Sequence, residues 1–143
     1  MPIKLCRTKH LNGREYRCYF ELALQVIGGK WKQIILFHLA QEPCLRFGEL
    51  KRFIPEVSER MLTRQLRELE ADGLVHREVY REVPPRVEYS LTEHGCGLLP
   101  VLLNIREWGI EHERFLGGEG RFTDEGFEPL EPPVFLCRGE ARQ

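Results

Sequence analysis

Arg60, Arg64 and Arg67 lie at i,i+4 and i,i+3 spacing within one helical pattern. A guanidinium is a planar fork of N–H donors that pairs bidentately with guanine edges and with phosphate oxygens. Placed at about 100° per residue, Leu62, Leu66 and Leu69 form a stripe facing away from the arginines. Thr63 borders the arginine face and Ala71 lies within it. Like charges so placed repel by about 0.2–0.5 kcal/mol per pair in an isolated helix. Arg64–Glu68 and Arg67–Glu70 pairs would offset part of this, and an external polyanion would relieve the rest. A solvated charged face carries the same residues, so this helix alone leaves both readings open.

A second pair, Arg81 and Arg86, flanks Pro84-Pro85. Prolines cannot donate to a strand ladder, so they sit at a stiff tip between two strands. A hairpin projecting arginines beside a groove-reading helix suits phosphate or minor-groove contact; a plain polar hairpin is the alternative. The candidate DNA-binding residues are Ser58, Arg60, Thr63, Arg64, Arg67, Arg81 and Arg86. Lys30, Lys32, Lys51 and Arg52 are further candidates for phosphate contact or, singly, solvated surface charges.

Other chemistries find little support. No Ser/His/Asp set, Gly-rich phosphate loop or HExxH pattern occurs, so no catalytic residue, enzyme activity or cofactor is expected. Cys6 and His10, or His94 and Cys96, supply two ligands each, short of a closed zinc site, and no metal is expected. The cysteines Cys6, Cys18, Cys44, Cys96 and Cys137 are odd in number and spread out without a CxxC pair. They point to reduced thiols rather than a disulfide scaffold.

The bulk composition bounds the setting. Hydrophobic residues make up 42% of the 143 and charged residues 30%, the balance of a folded globular chain. No apolar run is long enough to span a membrane, and the first residues lack a secretory signal, so a cytoplasmic protein is expected. The net charge of -1 does not announce a nucleic acid, but its distribution is uneven. Residues 1–32 carry seven Lys/Arg against two Asp/Glu, residues 44–90 nine of each, and residues 111–143 four against eight. Basic surface in the middle must come from how charges sort onto faces.

The elements that must position these groups can be read from periodicity. Residues 1–17 are expected to be a loose basic arm. A helix runs from Tyr19 to Ile27 before Gly28-Gly29, and a mostly buried one from Trp31 to Ala40. Leu45-Arg46-Phe47 is a very short strand, followed by two helical turns with Phe47, Leu50, Phe53 and Ile54 inward. Ser58 caps the arginine helix, Glu59 to Asp72, and Gly73 stops it. Strands come next over Leu74 to Glu82 and Val87 to Leu91. Thr92 caps a last long helix reaching about Phe115, with a kink at Pro100. In that helix Leu98, Val101, Leu102, Ile105 and Trp108 form one apolar arc; Leu99, Leu103 and Ile110 form another. Two arcs imply two partners, its own domain and the same helix of a second copy. Leu22, Leu99, Leu103 and Ile110 are the candidate dimer contacts; a helix sandwiched within one domain is the alternative.

The expected fold is therefore mainly α with a small β-hairpin, a winged helix-turn-helix working as a homodimer. The division is a 1–17 arm, an 18–116 winged-helix and dimerisation domain, and a 117–143 acidic tail containing Pro and Gly. The function expected is sequence-specific binding of double-stranded DNA in transcription control. A winged-helix module that binds only protein is the alternative, kept open by an acidic tail able to shield the basic face.

Several ordered segments carry a family resemblance. They are Gly29-Lys30-Trp31 with Ile34-Ile35-Leu36, Leu45 through Lys51, Ser58 through Gly73, Pro84 through Thr92, and Leu99-Pro100 before Trp108. Together they resemble the HxlR family of winged helix-turn-helix regulators, related in architecture to the MarR group. The resemblance implies a homodimer built on the first and last helices, a palindromic operator, and repression or activation of nearby genes. It also implies that the Ser58–Asp72 helix enters the major groove while the wing touches backbone or minor groove. Cys18 stands thirteen residues before Trp31, where the family often has Cys-Pro, and Tyr19 replaces that proline. Some members sense oxidants or electrophiles through an N-terminal cysteine, which makes Cys18 a candidate redox sensor and an oxidant or small molecule a candidate effector. Thiol sensing needs exposure and cationic surroundings, which Arg17 and the basic arm would offer. A buried, inert thiol near the dimer interface is the alternative.

Overall fold

A serine hydroxyl starts the helix that carries the three arginines. Ser58 sits in extended backbone (φ -68°, ψ 153°) and its Oγ accepts the Met61 N–H at 3.1 Å. That satisfies one of the free amides of the first turn. At the other end Gly73 takes φ +77°, the Leu74 N–H donates to the Leu69 carbonyl, and the Gly73 N–H donates to that of Glu70. This pairing needs a left-handed residue, which glycine adopts without strain.

The computed structural model describes residues 7–118. The order is β1 (Lys9–Leu11), β2 (Arg14–Tyr16), α1 (Tyr19–Ile27), α2 (Lys32–Gln41), β3 (Leu45–Arg46), α3 (Phe47–Phe53), α4 (Glu59–Ala71), β4 (Val75–Tyr80), β5 (Arg86–Leu91), α5 (Glu93–Gly97) and α6 (Leu99–Phe115). β5 lies between β3 and β4 in an antiparallel sheet, with Leu45 opposite Tyr89 and Val75 opposite Leu91. Leu62, Leu66 and Leu69 of α4 are buried with Ile35, Leu36 and Leu39 of α2, Leu50 of α3, and Tyr89 and Leu91 of β5. The helix pair α3–α4 and the hairpin β4–β5 thus share one core, the arrangement of a winged helix-turn-helix.

Three expectations need correction. The segment expected to be a loose arm contains the β1–β2 hairpin, closed by Asn12-Gly13, both at positive φ (50° and 74°). A two-residue turn of that kind matches the twist of its strands, and Tyr16 is buried beneath it. The last helix is not one element kinked at Pro100. It breaks at Leu98 into α5 and α6, and Pro100, which lacks an N–H, falls in the first turn of α6 where none is needed. Phe53 is 51% exposed rather than inward; its ring stacks on His38 with centroids 5.1 Å apart. The acidic tail lies outside the described residues except for its first two positions, as do Cys6, Cys137 and the segment Val134–Leu136.

One hydroxyl joins α4 to the start of α5. Thr92 Oγ1 donates to the Gly73 carbonyl at 2.6 Å and accepts the Gly95 N–H at 3.0 Å. Its own N–H donates to the Leu74 carbonyl at 3.0 Å. Gly95 packs directly on that carbonyl, where a methyl group would collide with the oxygen. The end of α4 and the first turn of α5 are therefore tied at one point.

Candidate nucleic-acid interface

With its leucines buried, α4 turns Arg60, Arg64 and Arg67 to solvent, and Thr63 lies half-buried beside them. Arg60 and Arg67 have no ion-pair partner among the described residues, so the expected Arg67–Glu70 pair does not form. Arg64 Nε donates to Glu68 Oε1 at 3.1 Å. The other oxygen of that carboxylate meets Lys32 Nζ at 2.8 Å. Lys32 is only 5% exposed, so it is not a candidate for phosphate contact; a buried ammonium needs a partner, and Glu68 is that partner. The Lys32 ammonium, and after it Arg64, hold the Glu68 carboxyl below its ordinary range against the opposing effect of burial.

The wing distinguishes its two arginines. Arg81 is exposed at the end of β4. Arg86 is half-buried, its guanidinium 4.0 Å from the centroid of the Tyr80 ring. Its Nη2 lies 3.3 Å from Glu82, and its Nε 3.6 Å from Glu88. Cation–π attraction and two carboxylates thus hold Arg86 along the hairpin. Lys30 is likewise laid over the Trp31 ring at 4.5 Å, and Lys51 donates to the Pro55 carbonyl at 2.7 Å.

Cys18 is exposed and serves as the N-cap of α1: its Sγ accepts the Glu21 N–H at 3.4 Å. The Glu21 carboxylate in turn accepts the Arg17 N–H at 2.8 Å. The thiol is not buried, and its chemistry is coupled to the first turn of a helix. Cys44 is also exposed, with Sγ 3.4 Å from Glu88 Oε2; burial first, then that carboxylate, push its thiol up.

α1 and α6 present an apolar outer surface. Tyr19, Phe20 and Leu24 are exposed on α1, and Val101, Ile105, Trp108 and Phe115 on α6. Trp108 stacks on His112 at 4.8 Å between centroids, extending the stripe. Leu99, expected at a dimer contact, is 3% exposed and packs with Leu102 in its own core. Leu103, Ile110 and Leu22 are half-buried. The outward arc of α6 is thus the one through Val101, Ile105 and Trp108, while the arc through Leu99 faces inward. Between α1 and α5–α6 runs a cleft of 630 Å³ lined by Ala23, Val26, Ile27, Leu98 and Val101, with Glu93 and His94 also in its wall.

Residues 26–115 match the HxlR-like helix-turn-helix family. The chain belongs to that family. HTH-type transcriptional regulator YybR of Bacillus subtilis (strain 168) is 54% identical over 105 residues, covering 73% of this chain and 83% of YybR. An HTH-type transcriptional regulator of Methanothermobacter thermautotrophicus is 56% identical over 95 residues, 66% of this chain and 72% of its own. The redox regulator HypR, solved in its reduced form, superposes with a TM-score of 0.64 at 55% identity, over 69% of this chain and 96% of HypR. This HxlR-like protein is accordingly a DNA-binding transcriptional regulator; the reading as a winged helix that binds only protein is not supported.

Sequence reasoning missed two features of this HxlR-like chain. Lys32 and Glu68 sit 36 positions apart and meet only because α2 crosses α4, so no local pattern could pair them. The Arg14–Asp72 pair, which ties the first hairpin to the end of α4, is equally nonlocal. Among the described residues no cluster of three or more His, Cys, Asp or Glu could hold a metal ion. No helix among them is long and apolar enough to cross a membrane.

Proposed function

We propose that this regulator works as a homodimer on a palindromic operator, as a repressor of nearby genes, with α4 in the major groove and the β4–β5 wing against the phosphate backbone. The observation that carries this reading is the face of α4: three guanidinium groups turned to solvent opposite three fully buried leucines. Ser58, Arg60, Thr63, Arg64 and Arg67 are the proposed contacts from the helix and Arg81 that from the wing, with Arg86 shaping the wing. The paired surface would be the exposed apolar faces of α1 and α6, with Leu22, Leu103 and Ile110 at their margins. The 18–116 unit would carry both functions, with the 117–143 segment appended, and work on a chromosome implies a cytoplasmic location.

A mobility-shift assay with the promoter of its own or an adjoining gene tests the reading. The expected result is a salt-sensitive shift that the paired change Arg60→Ala with Arg64→Ala abolishes. Binding untouched by that pair would sink the assigned face.

An effector response is a second proposal, favoured by the exposed capping position of Cys18. A thiol that caps α1 cannot accept the Glu21 N–H in the same way once it is oxidised or alkylated. HypR, a redox regulator solved in oxidised and reduced forms, supports an oxidant or electrophile as the signal. A small ligand in the 630 Å³ cleft is the other form of effector. Hydrogen peroxide should change operator affinity of the wild type but not of Cys18→Ser if the thiol is the sensor.

A further inference from the structure

Of the three arginines on α4, one is held and two are free. Arg64 Nε is engaged by Glu68, while Arg60 and Arg67 are bound to nothing among the described residues. An arginine has five N–H donors in a fixed fork. With Nε–H occupied, the end-on pair of N–H bonds on Nη1 and Nη2 remains, directed along the axis of the side chain. That is the half of the group that pairs with O6 and N7 of guanine.

The acceptor that Arg64 faces is fixed, because Glu68 is itself held. One carboxylate oxygen takes Arg64 at 3.1 Å and the other takes the buried Lys32 at 2.8 Å. Lys32 cannot let go without stranding its charge in the core. The charge balance matters as well. The single negative charge of Glu68 is answered by Lys32, so the three groups together keep one positive charge, and Arg64 is aimed without being neutralised. A phosphate contact needs no such aiming, since any mobile cation near the backbone serves. A base edge does, because both hydrogen bonds require the guanidinium plane to match the base plane.

We propose that Arg64 is the guanine-reading residue of α4 and that Glu68, braced by Lys32, is the positioning residue that sets its plane. Arg60 and Arg67 then serve the phosphate backbone. The assignment rests on the DNA-reading function above and deepens it by naming the base and the residue that selects it.

The test is selection from a duplex library with a randomised core, followed by measured affinities for the enriched sequence and its single-base-pair variants. The wild type should enrich a motif with a G·C pair in each half. Arg64→Ala should lose the preference at that one base pair by about tenfold or more, with other positions and the salt slope unchanged. Arg60→Ala or Arg67→Ala should weaken all sequences alike and lower the salt slope by about one. Glu68→Ala should relax the same base pair as Arg64→Ala, several-fold. A ratio of affinities for two sequences does not depend on the fraction of protein folded, so a destabilised variant still reports. Because Glu68→Ala strands Lys32, the pair Lys32→Met with Glu68→Gln is the companion variant. It removes the buried charges, leaves an amide oxygen for Arg64 Nε, and should keep the preference. Uniform weakening by Arg64→Ala with a reduced salt slope would make Arg64 a phosphate contact and overturn the assignment. An unchanged preference in Glu68→Ala would overturn the positioning role. A wild type that binds without enriching any motif would overturn the sequence-specific reading on which both rest.

Discussion

Arg14 and Asp72, 58 positions apart in sequence, meet through two parallel contacts: Nη1 to Oδ1 at 2.6 Å and Nη2 to Oδ2 at 2.8 Å. Asp72 is the C-cap of α4, where the helix dipole disfavours a negative charge. The guanidinium offsets that and anchors the β1–β2 hairpin to the far end of the DNA-reading helix; the Asp72 hydrogen bond raises Arg14 above its ordinary value. In a double-mutant cycle with Arg14→Ala and Asp72→Asn, urea unfolding should give a coupling of about 1 kcal/mol, at the upper end for partly exposed pairs because the geometry is bidentate. Hydrogen exchange in β1 and β2 should speed up in either single variant. Additive single effects would mean that the pair holds nothing.

The two wing arginines should separate by experiment. Arg81→Ala is expected to lower affinity on every duplex and reduce the salt slope by about one, as loss of a phosphate contact does. Arg86→Ala removes the cation stacked on Tyr80 and bridged to Glu82 and Glu88, so it should loosen β4–β5 exchange while leaving the salt slope nearly as it was. Equal changes of slope in both would contradict the geometry.

Association and stability should respond to different arcs of α6. Trp108 is 67% exposed and Leu99 only 3%. Trp108→Asp is expected to yield a monomer in sedimentation with little loss of thermal stability per protomer. Leu99→Ala should leave association intact and cost about 2–5 kcal/mol, the range for a leucine deleted from a packed core. A monomeric Leu99→Ala with unchanged unfolding would reverse the assignment of the two arcs.

His38 sets a pH dependence. Burial holds its pKa below the ordinary 6.5, so near that pH the unfolded chain takes up a proton that the folded one does not. Stability from this group is therefore complete above 6.5 and is lost as pH falls through the lower folded value. His38→Phe preserves a ring against Phe53 and should show a smaller drop in Tm than the wild type between neutral and mildly acid buffer. A ring that titrates at or above 6.5 by NMR would show that burial does not govern it.

Much of this arrangement is legible in the residues, and the exceptions have physical causes. α1 and α4 lie where their apolar spacing puts them, because amphipathic periodicity and a capping side chain both act within a few residues. The β1–β2 hairpin carries the Asn12-Gly13 signal, but its strands are three residues long and mostly polar, so alternation is too weak to stand out. Periodicity separates the apolar arcs of α6, but it does not say which arc meets the core; that is set by the nonlocal packing of α6 on the rest of the domain, which buries Leu99 and Leu102. Lys32 reads as a surface cation in any local pattern; only the crossing of α2 over α4 reveals that its charge is sealed in. The arginines of α4 are legible for the opposite reason, since a helix surface facing solvent is written in the sequence itself.

The Thr92 hydroxyl, bound at once to the Gly73 carbonyl and the Gly95 amide, works as a rivet. With Gly95 seated on the Leu74 carbonyl, the exit of α4 and the entry to α5 are held in direct contact. A movement of α5 should therefore reach the exit of α4 directly, as through a lever rather than a hinge. In a paired molecule such a lever would make the span between the two reading helices a ruler, and a tilt of a few degrees at the seam would be enough to put it out of step with the turns of a duplex.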